Sequence, residues 1–133
     1  MTKFYIGSSL NNSKIVEEYT GLLEEKGWSQ TYNWLKNIHN EISKKELKSY
    51  AKEELEGIKE ADVVIIYLPA GRGAHVELGL ALGLSKNIFL CANDKSEFSV
   101  FKTVSFYELP EIKKLVGTPQ ENTLEIIRQT KKL

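Results

Sequence analysis

Short, dense apolar runs alternate along this chain with longer stretches in which apolar residues return every three or four positions. The first pattern predicts strands and the second predicts helices with one buried face. Lys3–Gly7 is a β-rich run that stops at Gly7-Ser8-Ser9, where the chain can turn and cap a helix. From Lys14 to Lys26 the positions Ile15, Tyr19, Leu22 and Leu23 hold a helical spacing, and Gly27 stands where a helix commonly ends. The aromatic run Trp28 to Trp34 is expected to contain a second strand. Lys36 to Ser43 shows no periodicity and reads as a connection that could also form part of a site.

Ser43-Lys44-Lys45-Glu46 fits a capping box, and Leu47, Ala51, Leu55 and Ile58 mark the expected buried stripe of the helix that follows. Asp62–Leu68 is apolar after its first residue, as in a central parallel strand covered on both faces. It leads through Pro69-Ala70-Gly71-Arg72-Gly73 into a helix from about Ala74 to Ser85, which is apolar nearly all round and so expected to be largely buried. Asn87–Cys91 gives a fourth strand and Thr103–Tyr107 a fifth. Thr118-Pro119-Gln120-Glu121 opens the last helix with a second capping box and proline at its first position. Asn93 to Lys102 reads as a long loop, either plain surface or part of a site. Strands alternating with helices give an α/β class: a single doubly wound domain over residues 1–133, with a five-stranded, mainly parallel sheet flanked by helices, flavodoxin-like or Rossmann-like. Ligands are expected at the carboxyl ends of its strands.

Composition narrows the function classes. Lys plus Arg number 18 and Asp plus Glu 18, so net charge favours neither nucleic acid nor an anionic membrane as partner, and any nucleotide-like ligand should be small. The single Cys91 cannot form an internal disulfide, and no leader or long apolar span opens the chain, which points to the cytoplasm. His39 and His75 are isolated in sequence, no Cys, His and carboxylate cluster has metal-ligand spacing, and no cofactor is expected. Basic pairs at Lys44-Lys45 and Lys131-Lys132 read as solvated helix surface.

Glu77 carries the most chemical information. It follows the Gly71-Arg72-Gly73 loop and falls in the first turn of an otherwise apolar helix. It either serves the free N–H groups of that helix or is kept ionised by them as a nucleophile at the mouth of the sheet. The loop itself is neither a P-loop nor a dinucleotide fingerprint. Trp28, Tyr32 and Trp34 could stack a nucleobase or simply fill the core.

Tyr5-Ile6-Gly7, the segment Ala51 to Asp62, and Gly73-Ala74-His75-Val76-Glu77-Leu78-Gly79-Leu80-Ala81-Leu82-Gly83 resemble the nucleoside 2'-deoxyribosyltransferase family, from residue 3 to about 102. The resemblance implies that Glu77 attacks the anomeric carbon of a deoxynucleoside to form a covalent deoxyribosyl-enzyme. It places the family's acid, normally an aspartate, on Glu54, and a further family acid on Asp62, which lies at the wrong strand end and is expected to be structural. Tyr5, Gly7, Ser8, Gly71, Arg72, Gly73 and Ser99 fall on substrate-binding positions. Gly7-Ser8 and Ser99 resemble the branch that hydrolyses deoxynucleoside 5'-monophosphates, in which a neighbouring subunit supplies a serine. That branch's arginine is absent, since Leu10, Asn11 and Asn12 follow the serines. The transferase branch's second aspartate is Gly71 and its loop asparagine is Ser99; Arg72 either supplies phosphate charge or is solvated.

Three functions follow: transfer of deoxyribose from a nucleoside to another nucleobase, hydrolysis of a deoxynucleoside or its 5'-monophosphate, and a nucleotide-binding or sensing domain without turnover. The expected partners are a small nucleoside or nucleotide, a nucleobase and a second copy of the chain in a homo-oligomer with shared sites.

Overall fold

The structure, a computed structural model, describes residues 1–38 and 41–131. His39 and Lys132 lie outside the described residues. Among the described residues five strands, β1 (Lys3–Gly7), β2 (Ser29–Gln30), β3 (Val63–Leu68), β4 (Asn87–Ala92) and β5 (Ile112–Val116), alternate with four helices, α1 (Ser13–Glu25), α2 (Lys44–Glu60), α3 (Arg72–Gly83) and α4 (Pro119–Thr130), except that two 3-10 turns join β4 to β5. The sheet order is β2-β1-β3-β4-β5, and every neighbouring pair is parallel. This is the doubly wound α/β architecture that the alternation of periods predicts.

All six residues of β3 are buried. Successive side chains of a strand point to opposite faces, so Val64, Ile66 and Leu68 enter one core with Ile58 of α2 and Leu78 of α3. Val63, Ile65 and Tyr67 enter the other, with Val16 and Tyr19 of α1 and Ile126 of α4. Both capping boxes form: Ser43 with Glu46 starts α2, and Thr118 with Glu121 starts α4 with proline in its first turn. Gly27, at φ +86°, adopts the left-handed conformation that ends α1 where the sequence places its stop.

Several expectations need correction. Thr103–Tyr107 is not the fifth strand; Ser105–Glu108 is a short 3-10 turn anchored by Tyr107, while Phe106 faces solvent. The strand is Ile112–Val116, an edge strand in which only Ile112 is buried and Lys113 and Lys114 follow, so its apolar signal is weak. Ser9 makes no side-chain cap; it precedes a 3-10 turn, Leu10–Asn12, that runs directly into α1. Helix α3 is only partly buried, through Ala74, Glu77, Leu78 and Ala81, with Val76 and Leu84 exposed. The stripe assigned to α2 behaves likewise: Ile58 is buried, Leu55 is half-buried, and Leu47 and Ala51 are exposed. Helix α2 meets the sheet through its last turns, at Gly57 and Ile58, leaving its first half without a cover.

Candidate active site

The strand order reverses between β1 and β3, because the chain leaves β1 toward β2 on one side and β3 toward β4 on the other. At such a point the connections diverge and leave a crevice beyond the carboxyl ends of the strands. Gly7 ends β1 there, Leu68 ends β3, and α3 begins at Arg72 behind its N-cap, Gly71.

Because α3 starts at Arg72, Glu77 lies in its second turn, not its first. Helix N–H groups therefore do not serve its carboxylate. The side chain is 8% exposed, and the hydroxyl of the fully buried Tyr5 donates to its Oε2 at 2.6 Å. The other oxygen, Oε1, lies against Gly7, where a Cβ would collide with it; glycine at the end of β1 is thus a condition for seating this carboxylate. Glu54 faces the same cavity from α2, and its carboxyl bears on that of Glu77. Burial first, and then Glu54, push Glu77 up to about 8, against the opposing pull of the Tyr5 hydroxyl. In place of helix N–H groups that keep Glu77 ionised, its surroundings thus favour the protonated carboxyl. Tyr5, raised by burial and by Glu77 beside it, stays a protonated donor.

Glu54 owes its position to Gly57, one turn later on the same face of α2. A Cβ at Gly57 would stand 2.8 Å from Cβ of Tyr32 and 3.3 Å from Tyr5 Cδ2, so the glycine lets α2 settle directly on β1 and the segment after β2.

Both carboxyls face a cavity of about 370 Å³ whose walls also include Ser8, Gly71 and Gly73. Neither Gly71 nor Gly73 has anything within 4 Å of its missing Cβ, so the loop presents bare backbone. Ser8 is committed: its hydroxyl donates to the Tyr67 carbonyl at 2.8 Å and accepts from Asn12 Nδ2 at 3.0 Å, while that same amide donates to the Pro69 carbonyl at 2.8 Å. This network braces the ends of β1 and β3. Arg72 is exposed and outside the cavity walls, and Ser99 is half-buried away from them, its carbonyl accepting the N–H groups of Lys102 and Thr103. Asp62 accepts the Lys3 N–H at 2.9 Å at the opposite end of the sheet, a structural tie between the starts of β1 and β3.

Sequence reading missed Ser9, Leu10, Asn11 and Ala74 on the walls and left Trp34 undecided. Trp34 lines the cavity and donates its indole N–H to the Ile6 carbonyl at 2.7 Å, whereas Trp28 packs on Phe4 in the core. The turn after β1 was the available signal, since any residue following a switch-point strand faces the crevice. Among the described residues no group of three His, Cys, Asp or Glu side chains is arranged to hold a metal ion.

The sequence model of the family described as nucleoside 2-deoxyribosyltransferase matches residues 4–126. No curated protein matches the chain by sequence. Among solved structures, the Clostridium botulinum CMP N-glycosidase BcmB is 19% identical, with a TM-score of 0.66 over 95% of this chain and 99% of that one. A 2-deoxyribosyltransferase from Bacillus psychrosaccharolyticus is 19% identical, with a TM-score of 0.71 over 92% and 90%. A conserved protein from Enterococcus faecalis V583 is 16% identical, with a TM-score of 0.63 over 97% and 99%. These likenesses are likenesses of fold, and the match over nearly the whole length settles descent: the chain belongs to the nucleoside 2-deoxyribosyltransferase family.

Proposed function

We propose that the protein is a nucleoside 2'-deoxyribosyltransferase in which Glu77 is the nucleophile and Glu54 the acid. One observation carries this reading: two carboxyls meet in a cavity at the switch point of the sheet, one of them buried and held by Tyr5. A Glu77 oxygen bonds to C1' of the sugar as the C1'–N bond breaks, and the bonding electrons leave with the base, which takes a proton from Glu54. An acceptor base then attacks C1' from the vacated side, returns a proton to Glu54 and releases Glu77. Two inversions leave the configuration retained.

Among the described residues the walls of the cavity carry no Lys or Arg side chain, and Ser8 spends its hydroxyl on the Tyr67 carbonyl. Both features favour an uncharged nucleoside over its 5'-monophosphate as donor. Hydrolysis is the second reading, favoured by a groove between α2 and α3 that runs from Glu54 and Glu77 past Leu55, Val76 and Leu80 and opens the site to water.

A second copy of the chain would close that groove. The exposed apolar residues Leu47, Ala51 and Val76 lie on these two helices, and α2 divides its charge unevenly, with Lys44, Lys45, Lys48 and Lys52 against Glu46 in its first half and Glu53, Glu54, Glu56 and Glu60 against Lys59 in its second. Two copies of α2 running antiparallel about a two-fold axis match this pattern with itself. In such a homodimer Ser99, remote from its own chain's cavity, is the candidate for a contribution to its neighbour's. Among the described residues no helix is long and apolar enough to cross a membrane.

The experiment is to incubate the protein with deoxyadenosine, deoxycytidine and their 5'-monophosphates, with and without a free acceptor base, and to separate the products. A new nucleoside supports transfer, and free base with free sugar supports hydrolysis. No product from any donor, or full activity after Glu77→Ala, would reject the mechanism.

A further inference from the structure

His75 is isolated in sequence but not in space. It is the fourth residue of α3, two before Glu77, and its ring bridges two partners. Nδ1 lies 2.8 Å from the Gly71 carbonyl oxygen, and Nε2 lies 2.6 Å from the Tyr107 hydroxyl. The ring also stacks on Tyr107, with centroids 5.9 Å apart and planes 16° from parallel. A carbonyl can only accept, so Nδ1 carries the proton and, in the neutral ring, Nε2 accepts from the tyrosine. Tyr107 is a buried anchor: it is 3% exposed, and Phe98 packs edge-on against it with centroids 6.3 Å apart.

The first turn of α3 needs such a brace. Its N-cap is Gly71, which has no side chain to offer, and the backbone N–H of His75 reaches the Gly71 carbonyl only at 3.3 Å. The shorter of the two bonds on that carbonyl therefore comes from the His75 ring. Gly71 and Gly73 open the cavity, at the cost of a turn with unusual backbone freedom. The helix that carries Glu77 would otherwise begin on this loosely held turn, whereas its carboxyl must meet C1' within a fraction of an ångström.

We propose that His75 is a positioning residue: it holds the Gly71 carbonyl, ties the start of α3 to Tyr107, and so fixes Glu77 for attack. The inference rests on the reading of Glu77 as nucleophile, but the brace has a readout of its own. In ¹⁵N spectra of the imidazole, His75 should carry its proton on Nδ1, and backbone amides in the first half of α3 should exchange faster in His75→Ala than in the wild type. A proton on Nε2 alone, or unchanged exchange, would overturn the brace.

For catalysis, His75→Ala is expected to lower kcat by roughly 10- to 100-fold while KM moves less than about threefold, since misplacement by about an ångström acts on the attack more than on binding. His75→Asn, whose amide nitrogen can take the place of Nδ1 but cannot reach Tyr107, should recover the part of that loss owed to the Gly71 carbonyl and leave the part owed to Tyr107. A merely structural role predicts no such rescue, and kcat would instead follow the melting temperature across His75→Ala, His75→Asn and Tyr107→Phe. A kcat for His75→Ala within about twofold of wild type, or no rescue by asparagine, would overturn the positioning role. A wild-type protein silent toward every donor, with the Nδ1 proton and the exchange pattern in place, would overturn the nucleophile reading and the catalytic part of the proposal while supporting the brace.

Discussion

Glu77 sits where ionisation is costly, and this decides its behaviour with pH. Burial and Glu54 raise it to about 8, so below that pH the pair holds a proton. The proposed reaction needs one proton for two carboxyls, with the base leaving on the Glu54 proton while Glu77 attacks. The value of kcat/KM should therefore fall as pH rises through about 8, and in Glu54→Gln, which cannot supply the proton, this limb should disappear along with most of the activity; a rate that climbs through this range would contradict the shared proton. Stability follows the same group. Its folded pKa is raised, so its contribution is fully present below the ordinary carboxylate value and is lost as pH rises through about 8. Glu77→Gln should accordingly raise the melting temperature near pH 9 and change it little near pH 5. The motif makes Glu77 legible in the sequence. Its protonation is not, because that depends on Tyr5 and Glu54, 72 positions away in the case of Tyr5, and on a helix start two residues earlier than the pattern suggests.

At the scale of elements, the close seat of α2 on β1 links packing to chemistry. Gly57→Ala adds a Cβ into space held by Tyr32 and Tyr5, and α2 must move outward, taking Glu54 with it. Alanine is the better helix former by about 1 kcal/mol, so propensity alone would stabilise the variant. The expected result is the reverse: a lower melting temperature and a kcat reduced by at least about tenfold, measured on the same preparation. The elements that the sequence reveals best are those whose burial is even: β3, covered on both faces, and the two capped helix starts. Less legible are those decided by position in the sheet. Strand β5 hides at an edge behind Lys113 and Lys114, and the aromatic run ending at Tyr107 imitates a strand, although it only anchors a turn and holds His75.

The whole molecule gathers its site from segments far apart in sequence, because a parallel sheet brings the ends of β1 and β3 side by side. This assembly was legible as an expectation of ligands at the carboxyl ends of the strands; Leu10 and Asn11 were signalled only by their place after β1, and the direction of Trp34 by nothing, since a loop's direction has no period to read. The exposed apolar faces of α2 and α3 belong to this scale too. Their residues carry the pattern of burial without being buried in one copy, and in sedimentation the protein should run as a dimer that Leu47→Asp with Val76→Asp dissociates; a wild-type monomer with full activity would remove the second copy from the account. The central claim, that the Glu77 carboxylate becomes bonded to the sugar, has its most direct test in intact-protein mass spectrometry after acid quenching of the protein mixed with deoxyadenosine. The account predicts a mass gain of one deoxyribosyl group, mapped by digestion to the peptide containing Glu77 and missing from Glu77→Ala. Rapid turnover with the label on another residue, or cleavage with inversion at C1' and no adduct, would contradict it.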